Sequence, residues 1–227
     1  MKKGITIGIV VLVVLGLAYY LFKISPSQDQ AAQSGYNSLI VENTNAAQLS
    51  QPPPFDPTTD HYMGDPNAKN VFIEYGDLQC PYCAAYNPML ITVASSIPDT
   101  VFVYRYFPLL QHQNTVEAAL ANEAAGAQGQ YWAFHDLLYT QQTNWQDLSD
   151  PLSTFVQYAQ QVGVKDINQF QTDITSHKYL ATIQKDSDES YGLQLQGTPS
   201  YFFNGHPLQL VSDITSLEKE AEPYLNK

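Results

Sequence analysis

The sequence predicts a mixed α/β domain with a helical insertion, preceded by an N-terminal transmembrane helix. Two apolar β-type runs and a hairpin signal enclose a helical block of about 80 residues, which gives the order strand, helix, strand, helical block, hairpin, helix. An uncharged run from Ile5 to Phe22 lies near the N-terminus. With 227 residues, of which 44% are apolar, the chain is long enough for one sizeable domain and an appendage.

The N-terminal run is long enough to cross a bilayer, because its roughly 18 residues would span about 27 Å as a helix. A cleaved signal peptide is the competing interpretation. Cleavage after Ala18 would leave the apolar residues 19–22 as a stub, so a signal anchor over residues 1–23 is favoured. Two lysines precede the run and one follows it, so the positive-inside rule predicts a single-pass protein of the cell membrane whose catalytic domain is extracytoplasmic. The thiols then lie in an oxidising compartment.

Residues 24–60 have the composition of a flexible linker, rich in Ser, Gln, Asn and Ala and closing with several prolines. The apolar residues Leu39–Val41 offer an alternative in which this part docks on the domain. Beyond the anchor, 7 of the chain's 10 basic residues remain against all 22 acidic ones, a net charge of −15. Nucleic acid is therefore excluded as a partner for this surface.

The domain is predicted to span residues 61–227. In its first half, the sequence predicts two buried strands with one helix between them. Val71–Tyr75 is too apolar for an edge strand and is typical of a central one. The following helix is predicted from about residue 80 to residue 96, with Pro88 kinking it. The second strand is Val101–Phe107.

The helical block is predicted at about residues 110–192 from start and stop signals. Asn114 followed by Glu117 is a capping-box pattern at the first start. Ser149-Asp150-Pro151 predicts a further helix start, and Gly163 predicts the end of that helix. Asp166 and Ser176 are predicted to cap two more helices.

The C-terminal part predicts a hairpin and a last helix. Asn204-Gly205 is a strong two-residue turn between Ser200–Phe203 and Leu208–Val211. An amphipathic helix follows from about Asp213 and places Leu217 on its apolar face.

Cys80 and Cys83 are the only cysteines, two residues apart at a helix start, which is the pattern of a redox dithiol. The unpaired N–H groups and the dipole of that helix are expected to lower the pKa of Cys80 from ~8.5 to roughly 3.5–7.5. Cys80 is therefore predicted to be the attacking sulfur. Cys83, one turn further in, would resolve the mixed disulfide.

Two other uses of the cysteine pair are weaker. A zinc site needs two further ligands, and the five histidines show no finger-like spacing. A structural disulfide that closes so small a loop would constrain little of the unfolded chain. Catalysis is therefore favoured, with no metal and no bound cofactor.

Four ordered landmarks resemble those of the DsbA-like thiol-disulfide oxidoreductases. They are Glu74–Cys83, Tyr104–Leu109, Tyr131–Asp136 and Gly197–Gly205. The resemblance covers about residue 61 to the C-terminus. It implies a thioredoxin-like fold with a helical domain inserted between the second and third core strands.

The resemblance assigns roles to the residues around the dithiol. It implies that Cys80 is the nucleophile and Cys83 the resolving cysteine. Thr198-Pro199 resembles the segment whose proline is cis and faces the disulfide, and there the backbone of Thr198 would pair with an extended client. Pro81 and Tyr82, between the cysteines, complete the predicted client-binding residues.

Glu74 resembles the buried acid that the family places beneath the active site. Burial would raise the pKa of its carboxyl, which suits proton exchange with Cys83, whereas a solvated strand-end Glu is the alternative. Asp77 and Arg105 are interpreted structurally, Asp77 as an acceptor for turn or helix-start N–H groups and Arg105 as the partner of a carboxylate. His135 is predicted to be a packed helix residue.

The predicted function is a membrane-anchored oxidoreductase that donates its Cys80–Cys83 disulfide to client proteins with free cysteines. A membrane partner of the DsbB or vitamin K epoxide reductase type would reoxidise it. A reductase or isomerase on the same scaffold is the first alternative, because strong oxidases of the family carry His where this chain has Tyr82. A non-catalytic binding ectodomain with a structural disulfide is the second.

Overall fold

A five-stranded mixed sheet lies at the centre of the structure, a computed structural model that describes residues 36–226. The strands are β1 (His61–Met63), β2 (Asn70–Gly76), β3 (Thr100–Tyr106), β4 (Ser200–Phe203) and β5 (His206–Leu208). Their order in the sheet is β1-β3-β2-β4-β5. This order makes β2 the central strand, as predicted. Strands β2 and β3 are parallel, and the other neighbouring strands are antiparallel.

The helices lie mainly between β3 and β4. Two follow β2, namely α1 (Pro81–Leu90) and α2 (Val93–Ser96). The inserted block contains α3 (Thr115–Gly126), α4 (Tyr131–Thr140), α5 (Gln142–Trp145), α6 (Leu152–Gln161), α7 (Ile167–Thr175) and α8 (Leu180–Gly192), and α9 (Ile214–Ala221) follows the hairpin. The predicted thioredoxin-like α/β class with helices between the second and third core strands is confirmed.

The predicted anchor at residues 1–23 lies outside the described residues, as do residues 24–35 of the predicted linker. Between residues 36 and 226, no helix has the length and apolar character needed to cross a membrane.

Residues 36–60, the described part of the predicted linker, lie against the domain. Ile40 is buried in the main core, only 4% exposed. The amide of Asn37 donates to the carbonyl oxygens of Leu110 and His112, at 3.1 and 2.9 Å. These contacts are the ones expected if the segment around Leu39–Val41 docks on the domain, the alternative to a flexible linker.

The two faces of the sheet pack against different clusters, since side chains alternate along β2. Ile73 and Tyr75 belong to the smaller cluster, and Phe72 belongs to the larger one, which also contains both cysteines. Glu74, two residues after Phe72, therefore shares its face of the sheet with the dithiol.

Several local predictions are confirmed by backbone geometry. Asn204 and Gly205 have φ angles of +49° and +83°, as a type I′ hairpin turn requires. Asp166 accepts from the N–H of Gln169, and Asp213 accepts from the N–H of Ser216, so both aspartates cap their helices.

Two predicted helix-start signals are wrong. Asn114 makes no side-chain cap, since its amide donates to the carbonyl oxygens of Trp145, Gln146 and Leu148. Ser176 does not start a helix, because α8 begins at Leu180.

The first helix and the first strand also differ from the prediction. The predicted single helix ends at Leu90, two residues after Pro88, and a short helix resumes at Val93. Strand β1 was not predicted, because its three half-buried residues carry no strand pattern.

Candidate active site

The cysteine pair begins a helix directly after the central strand. Strand β2 ends at Gly76, and the N–H of Cys80 donates to the carbonyl oxygen of Asp77 at 2.9 Å. Cys80 has extended φ and ψ angles of −73° and 122° at the N-cap position, and Pro81 is the first helical residue. The Cys80 sulfur therefore lies at the end of α1 where backbone N–H groups are unpaired.

The local hydrogen bonds favour the thiolate of Cys80. They lower its pKa from 9.0 to about 6. The largest contribution comes from the side chain of Cys83, and smaller ones come from the side chain of Thr198 and the N–H groups of Cys83 and Tyr82, while burial opposes them. As a thiol, Cys80 donates to the carbonyl oxygen of Thr198 at 3.4 Å. Cys80 is therefore largely ionised at neutral pH when it is reduced.

Cys83 has the opposite character. Its side chain is completely buried, and burial raises its pKa well above 9.0. The hydrogen bond to Cys80 and the charge of Glu74 raise it further. The structure thus separates the two thiols, with Cys80 as the stable thiolate and Cys83 as the proton-holding partner.

The peptide bond between Thr198 and Pro199 is cis and lies across from the dithiol, as the family resemblance implies. It precedes β4 and carries the carbonyl oxygen that contacts Cys80.

Glu74 lies beneath the dithiol and is 1% exposed. Its neighbours across the sheet are Tyr104 on β3 and Tyr201 on β4. Neither carboxyl oxygen has a hydrogen-bond partner within the described chain. Burial, with a smaller contribution from the charge of Cys80, raises its pKa to about 8. The alternative of a solvated strand-end residue is therefore wrong, and the carboxyl carries a proton at neutral pH.

Gly76 leaves room for the groups around this acid. A Cβ atom there would lie 2.5 Å from a ring carbon of Tyr104 and 3.0 Å from Oε1 of Glu74. The distance to the buried Tyr104 ring is too short for any side chain, so glycine is required at this position between the buried acid and the active-site turn.

Asp77 connects the active-site turn to the segment that enters the helical block. Its Oδ1 accepts from the N–H of Gln79 at 2.7 Å and the hydroxyl of Thr115 at 2.6 Å. Its Oδ2 accepts from the N–H of Leu109 at 2.9 Å and lies 2.7 Å from Nδ1 of His112. The predicted role as a turn acceptor is confirmed, and His112 is a residue that the sequence interpretation missed.

The remaining site predictions separate into surface and structural residues. Pro81 and Tyr82 are exposed beside Cys80, and 64% of Tyr82 is accessible. Arg105 is buried and pairs with carboxylates, as predicted. His135 is also buried and packs among aromatic rings, as predicted. Among residues 36–226, no group of three or more His, Cys, Asp or Glu residues is arranged to hold a metal ion.

Comparison with known proteins agrees with this architecture. A family model described as thioredoxin matches residues 56–219. Among solved structures, BdbD from Bacillus subtilis in its oxidised form aligns with a TM-score of 0.66 at 20% identity, covering 79% of this chain and 98% of that one. A thioredoxin-like oxidoreductase from Silicibacter pomeroyi DSS-3 aligns with a TM-score of 0.62 at 25% identity, covering 74% and 93%. The structure of alpha-DsbA1 from Wolbachia pipientis aligns with a TM-score of 0.63 at 20% identity, covering 81% of this chain and 95% of that one.

Curated relatives that match this chain in sequence carry a different name. The protein named Na(+)/H(+) antiporter NhaA 1 from Mycobacterium sp. (strain KMS) is 34% identical over 175 residues. That alignment covers 74% of this chain, which spans only 27% of the length of the relative. The likeness therefore concerns one part of a much longer protein.

Proposed function

The chain belongs to the thioredoxin family, with the architecture of its DsbA-like thiol-disulfide oxidoreductases, and from this premise we propose that it donates the Cys80–Cys83 disulfide to reduced client proteins. The single observation that carries the proposal is the opposite character of the two thiols. Cys80 is a stabilised thiolate with a pKa of about 6, and Cys83 is a buried thiol whose pKa is raised. A disulfide that only cross-links the chain needs no such difference.

The reaction runs through a mixed disulfide. A client thiolate attacks the Sγ atom of Cys80, the bond between the two cysteines breaks, and Cys83 leaves as a thiolate that takes a proton from Glu74. The second client thiolate then attacks the client sulfur of the mixed disulfide, and Cys80 leaves as a thiolate. Two electrons pass from the client to this chain, and solvent returns the proton to Glu74.

The stabilised thiolate favours the oxidising direction, because it makes the reduced state of the chain more stable. A pKa of about 6 in place of an ordinary ~8.5 favours the reduced form about tenfold at pH 7, equal to about 30 mV. Thioredoxin has a thiolate pKa of ~7 and the strongest oxidant of the family has ~3.5, so Cys80 lies between them.

We further infer a location outside the cytoplasm, with residues 1–23 as an uncleaved anchor in the cell membrane. The uncharged run and its flanking lysines support the anchor. A quinone-linked membrane protein of the DsbB or vitamin K epoxide reductase type would then accept the two electrons from the reduced dithiol. The antiporter activity named for the longer relatives is not carried over to this chain.

The proposal is tested by trapping clients in cells with a Cys83→Ala variant. Without the resolving thiol, a mixed disulfide formed through Cys80 persists. We expect adducts of several sizes on non-reducing gels that disappear on reduction. The matched control, a Cys80→Ala/Cys83→Ala double variant, should give no adducts. If the single variant also gives none, the non-catalytic binding ectodomain is favoured instead.

A further inference from the structure

We propose that His112, in the loop after β3, is a positioning residue of the dithiol. Bound to Asp77, it places a positive charge beside the Cys80 thiolate. The residue between the cysteines that could otherwise have supplied such a charge, Tyr82, is uncharged. The inference deepens the proposed function and rests on it for its biological meaning. It concerns an electrostatic contact that can be measured on the purified protein.

The geometry connects His112 to Cys80 through one residue. The carboxylate of Asp77 is completely buried and lies 2.7 Å from Nδ1 of the His112 ring. The backbone carbonyl of the same Asp77 accepts the N–H of Cys80 at 2.9 Å. His112 and Pro81, the residue after Cys80, line one open pocket of about 320 Å³. The ring is therefore held at the wall of a pocket that Gln79 and Pro81, the residues on either side of Cys80, also line.

The charge of His112 has the sign that the thiolate requires. The hydrogen bond with Asp77 raises the pKa of His112 above 6.5, and the negative charges of Asp77 and Cys80 raise it further, while burial opposes them. Electrostatic coupling is mutual, so a protonated His112 stabilises the Cys80 thiolate as the thiolate stabilises it. The hydrogen bond from Cys83 remains the larger influence on Cys80.

Other titratable groups lie around Cys80 and His112 and also influence their protonation. Around Cys80 they are Cys83 on its own helix, Glu74 on β2 and Tyr201 on β4. Around His112 they are Asp77 and, across the pocket, Asp147. Among these groups, His112 is the one that can be positively charged near neutral pH.

The test is the pH dependence of Cys80 alkylation in the reduced full-length protein, comparing wild type with His112→Gln. Loss of the imidazolium is expected to raise the pKa of Cys80 by about half a unit. At pH 7 the equilibrium constant for disulfide donation should then fall about threefold, equal to about 14 mV. His206→Gln is the matched control, because it removes an exposed imidazole on β5, and it should change neither quantity.

A His112→Lys variant separates charge from loop anchoring. It keeps a positive charge without the imidazole hydrogen bond, so the low pKa of Cys80 should be largely restored. Unchanged Cys80 pKa in a folded His112→Gln protein overturns the inference, and so does failure of the lysine variant to restore the pKa. A shifted pKa in a protein that transfers no disulfide to clients supports the electrostatic role and contradicts the proposed function instead.

Discussion

Replacing Cys80 by serine is expected to lower the rate of disulfide transfer to a reduced test protein by at least about a thousandfold, to the uncatalysed background. The serine hydroxyl can neither form the mixed disulfide nor leave as a stabilised thiolate. The fold should persist, because Cys80 is small and its backbone N–H still donates to Asp77. Stopped-flow assays of transfer, with thermal unfolding of the same samples as the control, measure both effects.

Residual transfer within about tenfold of wild type would contradict this role for Cys80. Transfer would then proceed without the Cys80–Cys83 disulfide, because a chain that keeps only Cys83 cannot form it. The Cys80→Ser result thus tests whether Cys80 is required for transfer, while trapping with Cys83→Ala tests which of the two sulfurs binds the client.

Replacing Arg105 by methionine is expected to destabilise the folded domain by about 3–5 kcal/mol, because it leaves the buried carboxylate of Asp60 unpaired and removes one of the two cations that pair with Glu189. The guanidinium donates to both oxygens of Asp60, at 3.0 and 2.9 Å, and to Glu189 at 3.1 Å. It also donates to the carbonyl oxygens of Pro53 and Pro54, at 3.0 and 3.3 Å. The single side chain therefore ties residues 53–60 and α8 to strand β3.

Chemical denaturation of both proteins gives the difference in the free energy of unfolding. Lys69→Met is the matched control, since the Lys69–Asp99 pair is exposed and 3.8 Å apart, and its loss should cost under about 0.5 kcal/mol. A cost below about 1 kcal/mol for Arg105→Met would show that Asp60 and Glu189 find other partners. Lys185 already pairs with Glu189 at 3.0 Å and would then be its sufficient partner.

The chemistry of the site could be predicted from sequence because its signals are local. Cys80 and Cys83 are two residues apart, and the apolar strand that buries Glu74 is continuous with them. The hairpin at Asn204-Gly205 and the cap at Asp166 likewise depend on neighbours within a few residues.

The missed features depend on partners far apart in the chain. His112 is 35 residues from Asp77, and nothing in the spacing of the two indicates their pairing. Asn114 matches a capping pattern, but carbonyl groups more than 30 residues away bind its amide instead. The sequence leaves the docking of Ile40 open, because the apolar run Leu39–Val41 does not specify the folded surface that receives it.

The most direct test of the oxidising role is the reduction potential of the Cys80–Cys83 couple, measured by equilibration with glutathione buffers at pH 7. The lowered pKa of Cys80 and the raised pKa of Cys83 predict a value between those of thioredoxin and the strongest oxidant of the family, roughly −270 and −120 mV. A value at or below about −270 mV would contradict disulfide donation and assign the chain to the reductases.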